Sequence, residues 1–264
     1  MLSPLGSALR RHDPDRFLTL LFAPVVARER LVLLYAFNHE LARAREATSQ
    51  SLLALMRLQW WREVVEGEDK PGELATPLQA LIAEGALDRA ALLAMIEARE
   101  AEIDGAFETR ALWQDWLLTG AGSLAVAAGR ALGVTKGPML EGLRLRGAAY
   151  GVAGLLRARF ALGAQGHAPW PADLLAEAGL NQEAAAADPT APALRPLLET
   201  LRGQGRAWLA EARRLPPLPR TAVAAALPAV LAARDLRRLA VQPPGPRGFG
   251  DRFAVTCAGL RGRA

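Results

Sequence analysis

The chain has 264 residues, 51% of them apolar and 22% charged, with a formal net charge of +5. That length and apolar share allow one sizeable core. No apolar run approaches the ~18 residues that span a bilayer, and a lone cysteine, Cys257, rules out an internal disulfide and a cysteine-based zinc cluster. The charge is uneven: from Leu201 to Ala264 twelve arginines stand against Glu211, Asp235 and Asp251, a net +9 that leaves −4 for the rest. Such asymmetry favours an anionic partner for the C-terminal part, a membrane surface or an acidic protein, with no nucleic acid expected.

Alanine, leucine and arginine dominate, all strong helix formers, and no stretch alternates Val, Ile, Thr and Tyr as a strand would. The chain therefore reads as all-α. Met1 to Arg11 has no apolar run followed by a small-residue cleavage site, so a cytoplasmic location, extending to the face of the inner membrane, is expected.

Asp13-Pro14 caps a short helix that Pro24 ends. The periodicity predicts a long helix from Val26 to Ala47 and another from Ser51 to Glu66, which stops in a turn-rich stretch ending at Gly72. Thr76-Pro77 caps a short helix closed by Gly85. Asp88 caps one running to Phe107, and Thr109 one reaching Gly133. Helix resumes near Pro138 and continues to Leu162. Pro169-Trp170-Pro171 then breaks the chain before a short helix ending at Gly179. A linker over Glu183–Pro192 precedes two last helices, near Ala193–Leu215 and Pro219–Leu239. The domain is expected to cover 1–240, with 241–264 as a poorly ordered basic tail.

The informative stretches are Asp13-Pro-Asp-Arg-Phe-Leu-Thr-Leu-Leu-Phe-Ala-Pro24, Arg30 to Glu46 with its Tyr35-Ala-Phe-Asn-His-Glu40, and Leu55-Met-Arg-Leu-Gln-Trp-Trp-Arg62. With Thr119-Gly-Ala-Gly122, Gly151 to Arg157, Pro169-Trp-Pro to Leu174 and Leu218 to Ala222, their order resembles the squalene/phytoene synthase family along nearly the whole chain. That resemblance implies a single-domain helical bundle of the trans-isoprenyl-diphosphate-synthase type around a central cavity. It also implies two aspartate-rich motifs on facing helices, because magnesium needs hard oxygen ligands to bridge a diphosphate to the protein.

Here the first motif's positions hold Ala42, Arg43 and Glu46, and the second motif's hold Ala158 and Leu162. Four of five acids are missing, and an arginine repels Mg²⁺. No catalytic residue and no metal or cofactor is therefore expected. Ala36 to Ala42 followed by Leu55 to Trp61 is similar to a branch of the family that includes the mitochondrial assembly factor of respiratory complex I. That resemblance implies a non-catalytic protein acting by binding, with a membrane-complex protein as partner. The alternative is a living prenyltransferase of isoprenoid biosynthesis that condenses prenyl diphosphates head to head, with Mg²⁺ as its cofactor.

Arg43, Arg45, Arg157 and Arg159 occupy or flank the former metal positions, and inward-facing guanidinium groups would hold an anionic head group, a lipid or isoprenoid phosphate, without metal. Other candidates have plainer readings. Glu97, Glu100 and Asp104 share a helical face and read as a solvated or paired stripe. Adjacent residues His39 and Glu40 point in different directions. Trp60 and Trp61 read as core packing. Gly120-Ala-Gly122 follows no strand, so it reads as a close helix contact rather than a phosphate loop.

Overall fold

Caps and breakers set the helix borders. The structure, a computed structural model, describes residues 3–46, 51–103 and 107–264, and the side chains of Arg45 and Glu46 lie outside the described set. Helix α1 (Pro4–His12) starts behind Ser3, whose hydroxyl accepts from the Gly6 amide. Helix α2 (Pro14–Leu20) starts behind Asp13, whose carboxylate accepts from the Arg16 amide at 3.0 Å. After α3 (Val25–Glu46), α4 (Ser51–Glu66), α5 (Ala75–Ala83) and α6 (Arg89–Ile103), Thr109 caps α7 (Arg110–Leu117) by accepting from the Leu112 amide. A π-helical turn, Leu118–Gly122, joins α7 to α8 (Ser123–Ala131). Then come α9 (Gly137–Ala164), α10 (Ala172–Glu177), α11 (Gln182–Ala187), α12 (Arg195–Ala212), α13 (Val223–Ala226), α14 (Pro228–Asp235) and α15 (Phe249–Arg261). Among the described residues there is no strand.

The 28-residue α9 is the axis, packed by α8, α12, α14 and the π turn. One apolar cluster joins α3, α4, α6 and α8, and a second joins α7, α9, α12 and α14. The helices meet closely where glycines face each other: a Cβ on Gly147 would sit 2.4 Å from the Ala121 carbonyl oxygen, and one on Gly122 3.0 Å from that of Arg144. Gly120-Ala121-Gly122 is thus a helix contact, and the missing side chains let α9 lie against the π turn.

Several borders differ from the sequence reading, and helix α1 was not expected at all. Helix α5 begins at Ala75, and the Thr76 hydroxyl accepts from the Gly72 amide instead of capping the helix. The supposed linker over 183–192 contains most of α11, capped by Asn181, whose side chain accepts from the Ala184 amide at 2.8 Å. The helix expected over 219–239 is divided into α13 and α14 at Leu227-Pro228, where proline has no N–H to donate.

The segment after Val241, expected to be poorly ordered, carries α15. Its Val255 is fully buried with Val223, Leu227 and Leu231, and Asp251 in its first turn accepts from Arg234 at 2.5 Å. Gly262, at φ +67°, closes the helix, with Arg263 N–H reaching the Ala258 carbonyl. Val255, a cross-helix ion pair and the close approach of Gly259 to Phe22 hold this helix, and none of these is a periodic signal.

Candidate functional site

Helices α2, α3, α6, α7, α9 and the π turn line a cavity of about 210 Å³. Ala98, Gly120, Ala121, Gly151 and Gly154 keep it open, while Arg16, Asn38, Arg99 and Tyr150 supply its polar groups. The helical repeat places Ala42 one turn beyond Asn38 on α3, and Ala158 one turn beyond Gly154 on α9. The positions that the resemblance assigns to metal ligands therefore share a helix face with cavity-lining residues, one turn further along, where the mouth of a binding cavity would lie. Ala42 is half-buried and Ala158 exposed; Leu162, a further turn along α9, is half-buried. Glu46 holds the matching place on α3, but its side chain lies outside the described residues.

The cavity floor is a fixed cation between two aromatic rings. Arg16 pairs with Asp13 at 2.7 Å and lies 5.0 Å from the Tyr150 ring centre and 5.8 Å from that of Tyr35. Burial opposes its charge, but Asp13 and the tyrosines outweigh burial and raise its pKa. Burial pushes the Tyr35 phenol up to about 12, against the pull of Arg16, and raises Tyr150 in the same way. All three groups keep their protons near neutral pH, so this floor can position and donate but offers no base.

Tyr150 leads into a second network, since its hydroxyl donates to Asp15 at 3.2 Å. Arg247, only 10% exposed, donates to Asp15 at 3.0 Å and to Asp235 at 2.7 Å. Burial works against the Arg247 charge, but Asp235 and Asp15 more than compensate and raise its pKa. Arg157 approaches Asp235 at 3.8 Å, and Arg234 holds Asp251 at 2.5 Å. These contacts fasten the stretch before α15 across α9 and α14.

The proposed anion-binding arginines do not come together. Arg43 is 54% exposed and pairs with Glu40 at 3.2 Å. Arg157 donates to the Gly245 carbonyl besides its contact with Asp235. Arg159 is 5% exposed and donates to the Leu156, Pro189 and Ala240 carbonyls, and burial lowers its pKa. None of these three lines the cavity, and the Arg45 side chain lies outside the described residues.

Of the lesser candidates, Glu97 is exposed, Glu100 accepts from Arg62 at 2.6 Å and Asp104 is outside the described residues. His39 stacks on His12 at 4.8 Å, and Trp61 meets Phe37 edge-on at 5.3 Å. The sequence reading missed the cluster of Arg16, Tyr35 and Tyr150. Its one local signal was that Arg16 and Tyr35 lie in the two most informative stretches.

The family model described as squalene/phytoene synthase matches residues 9–252. The chain belongs to the squalene/phytoene synthase family. A dehydrosqualene synthase crystal structure superposes with a TM-score of 0.79 at 13% identity, covering 97% of this chain and 94% of that one. A squalene synthase, HpnC from Alicyclobacillus acidocaldarius, gives 0.72 at 17% identity, covering 98% and 92%. These likenesses show the isoprenoid-synthase helical fold.

Among curated proteins, "NADH dehydrogenase (ubiquinone) complex I, assembly factor 6" of Mus musculus is 27% identical over 180 residues, 66% of this chain and 54% of that protein. The Homo sapiens protein of the same name is 30% identical over 100 residues, 36% of this chain and 30% of its own length. The match thus spans about half or less of those relatives.

The magnesium chemistry of the family's synthases does not fit the residues present. Alanine, arginine and leucine stand at four of the five positions where the resemblance expects acids, and among the described residues no three His, Cys, Asp or Glu side chains are grouped so as to hold a metal ion.

Proposed function

We propose that this squalene/phytoene synthase-like protein acts by binding rather than by prenyl transfer, and that it serves in assembly of respiratory complex I. The carrying observation is the cavity and its mouth taken together. This cavity measures about 210 Å³, below the roughly 300–1,000 Å³ usual for sites that enclose small ligands, and the wider clefts, of about 580 and 520 Å³, lie away from it beside Arg159 and Arg43. Head-to-head condensation requires room for two prenyl chains and metal ligands for their diphosphates. The mouth offers Ala42 and Ala158 where those ligands belong.

The assembly role draws on the relatives named as complex I assembly factors, which share aligned sequence with this chain. No helix among the described residues is long and apolar enough to cross a membrane, and the proposed role puts the protein peripherally on the inner membrane, in contact with a subunit of the complex or an intermediate of it.

Deleting the gene in its source organism is expected to lower the amount of assembled NADH dehydrogenase on native gels. Full restoration by both the unaltered chain and a Glu46→Gln chain is the result expected. Undiminished assembly in the deletion strain would remove the assembly role, and failure of the Glu46→Gln chain alone would favour an enzyme.

A further inference from the structure

Helix α15 turns its buried side inward at Val255 and leaves an apolar stripe on the opposite side. At 100° per residue, Phe249, Phe253, Thr256 and Leu260 fall within roughly 60° of one another on the helix wheel. Phe249 is 82% exposed, Phe253 57% and Leu260 66%, and the two phenyl rings stack at 5.9 Å. Gly259 approaches the Phe22 ring so closely that a Cβ there would come within 2.3 Å of it. That contact sets the Leu260 end of the stripe beside the turn that carries Leu21, Val25 and Val26, which are also exposed. Six of the twelve exposed large apolar residues described in the chain thus lie on α15 or on this turn. Single exposed apolar residues are ordinary, but an aligned stripe on one helix is not.

The surroundings of the stripe are basic. Arg252, Arg261 and Arg263 are exposed and no ion pair holds them among the described residues. Arg220, also exposed, reaches only the Leu260 carbonyl, at 2.8 Å. The acid of this helix, Asp251, is consumed by Arg234 and lies near Arg247. An outward face with aromatic and aliphatic residues at its centre and free arginines at its edges matches an anionic lipid surface. A second copy of the chain fits poorly, because symmetric pairing of two such faces would bring arginines against arginines.

We propose that α15 is a membrane-docking helix that lays Phe249, Phe253 and Leu260 into the headgroup region of an anionic bilayer, with Arg252, Arg261 and Arg263 on lipid phosphates. The inference rests on the peripheral-membrane part of the proposed function and names the surface that would serve it. The ion pairs of Arg247 and Arg234 hold the helix in place, so the surface is preformed.

The test is co-sedimentation of the full chain with vesicles of phosphatidylcholine alone and of phosphatidylcholine with phosphatidylglycerol. Binding to the anionic vesicles only, weakening as salt rises, is expected. A Phe249→Ser/Phe253→Ser variant should bind them about tenfold or more weakly, with an unchanged circular dichroism spectrum and Tm. An Arg252→Gln/Arg261→Gln/Arg263→Gln variant should bind more weakly and lose most of the salt dependence. Equal binding by the phenylalanine variant, binding of neutral vesicles as strongly as anionic ones, or no binding at all would overturn the proposal. So would a concentration-dependent dimer that disappears in the phenylalanine variant. If vesicle binding fails while the gene still restores complex assembly, the docking surface falls and the assembly role stands.

Discussion

The cavity mouth and the seam under α15 use arginine and aspartate in opposite ways. At the seam, Asp15, Asp235 and Asp251 meet Arg157, Arg234 and Arg247 in one network that crosses helices far apart in sequence. At the mouth, Ala42 and Ala158 stand where the family resemblance expects acids, and the neighbouring Arg43 and Arg159 turn to Glu40 and to backbone carbonyls. Carboxylates are absent from the positions where the family resemblance expects metal ligands, and they are present in the seam, where arginines occupy them. A count of acids along the sequence shows neither pattern, because the distinction lies in what each carboxylate faces.

The largest predicted effect comes from breaking the seam. Arg247→Ala leaves Asp15 and Asp235 without their shared partner at low exposure, and one Asp235 oxygen is already buried without a hydrogen bond. Unfolding in urea should show a loss of about 3 kcal/mol, and α15 should become sensitive to limited proteolysis. An unchanged midpoint would mean the seam is a surface feature.

Next in size is Gly147→Ala. The new methyl group would meet the Ala121 carbonyl at 2.4 Å, so α9 must move off the π turn, at a cost of about 2 kcal/mol. Thermal unfolding measures this loss directly.

The elements around these sites were unequally legible. Caps at Asp13 and Thr109 and the left-handed glycines Gly85, Gly133 and Gly179 mark borders with local chemistry, and the structure has them there. Helices α11 and α15 were not legible, since one rests on a single asparagine cap and the other on Val255 and contacts to α14. The motif positions came from the family resemblance, and helical periodicity then sets them one turn beyond Asn38 and Gly154. The floor could not: Tyr150 joins Asp15 across 135 positions and Arg247 joins it across 232, and no local pattern reports such a pairing.

A smaller effect concerns pH. Tyr35, with a folded pKa of about 12 against an ordinary 10, holds its proton more tightly when folded. Its contribution to stability is therefore complete below about pH 10 and declines as pH rises through 12. Tyr35→Phe should flatten that alkaline decline in a pH series of denaturant midpoints; an identical decline would place its cause elsewhere.

The smallest stability change is expected from rebuilding the mouth. Ala42→Asp, Arg43→Asp and Ala158→Asp together touch only exposed or half-buried positions and should cost about 1 kcal/mol or less. Mg²⁺ with inorganic diphosphate should then raise the Tm of the variant and leave that of the unaltered chain where it is. A similar rise for both would show that the mouth already holds the ion.

The most direct measurement is diphosphate release from labelled farnesyl and geranylgeranyl diphosphate, incubated with the purified chain and Mg²⁺. A protein that acts by binding should give no release above the protein-free control. Magnesium-dependent release that disappears in Glu46→Gln would contradict that role and make the protein a working prenyltransferase.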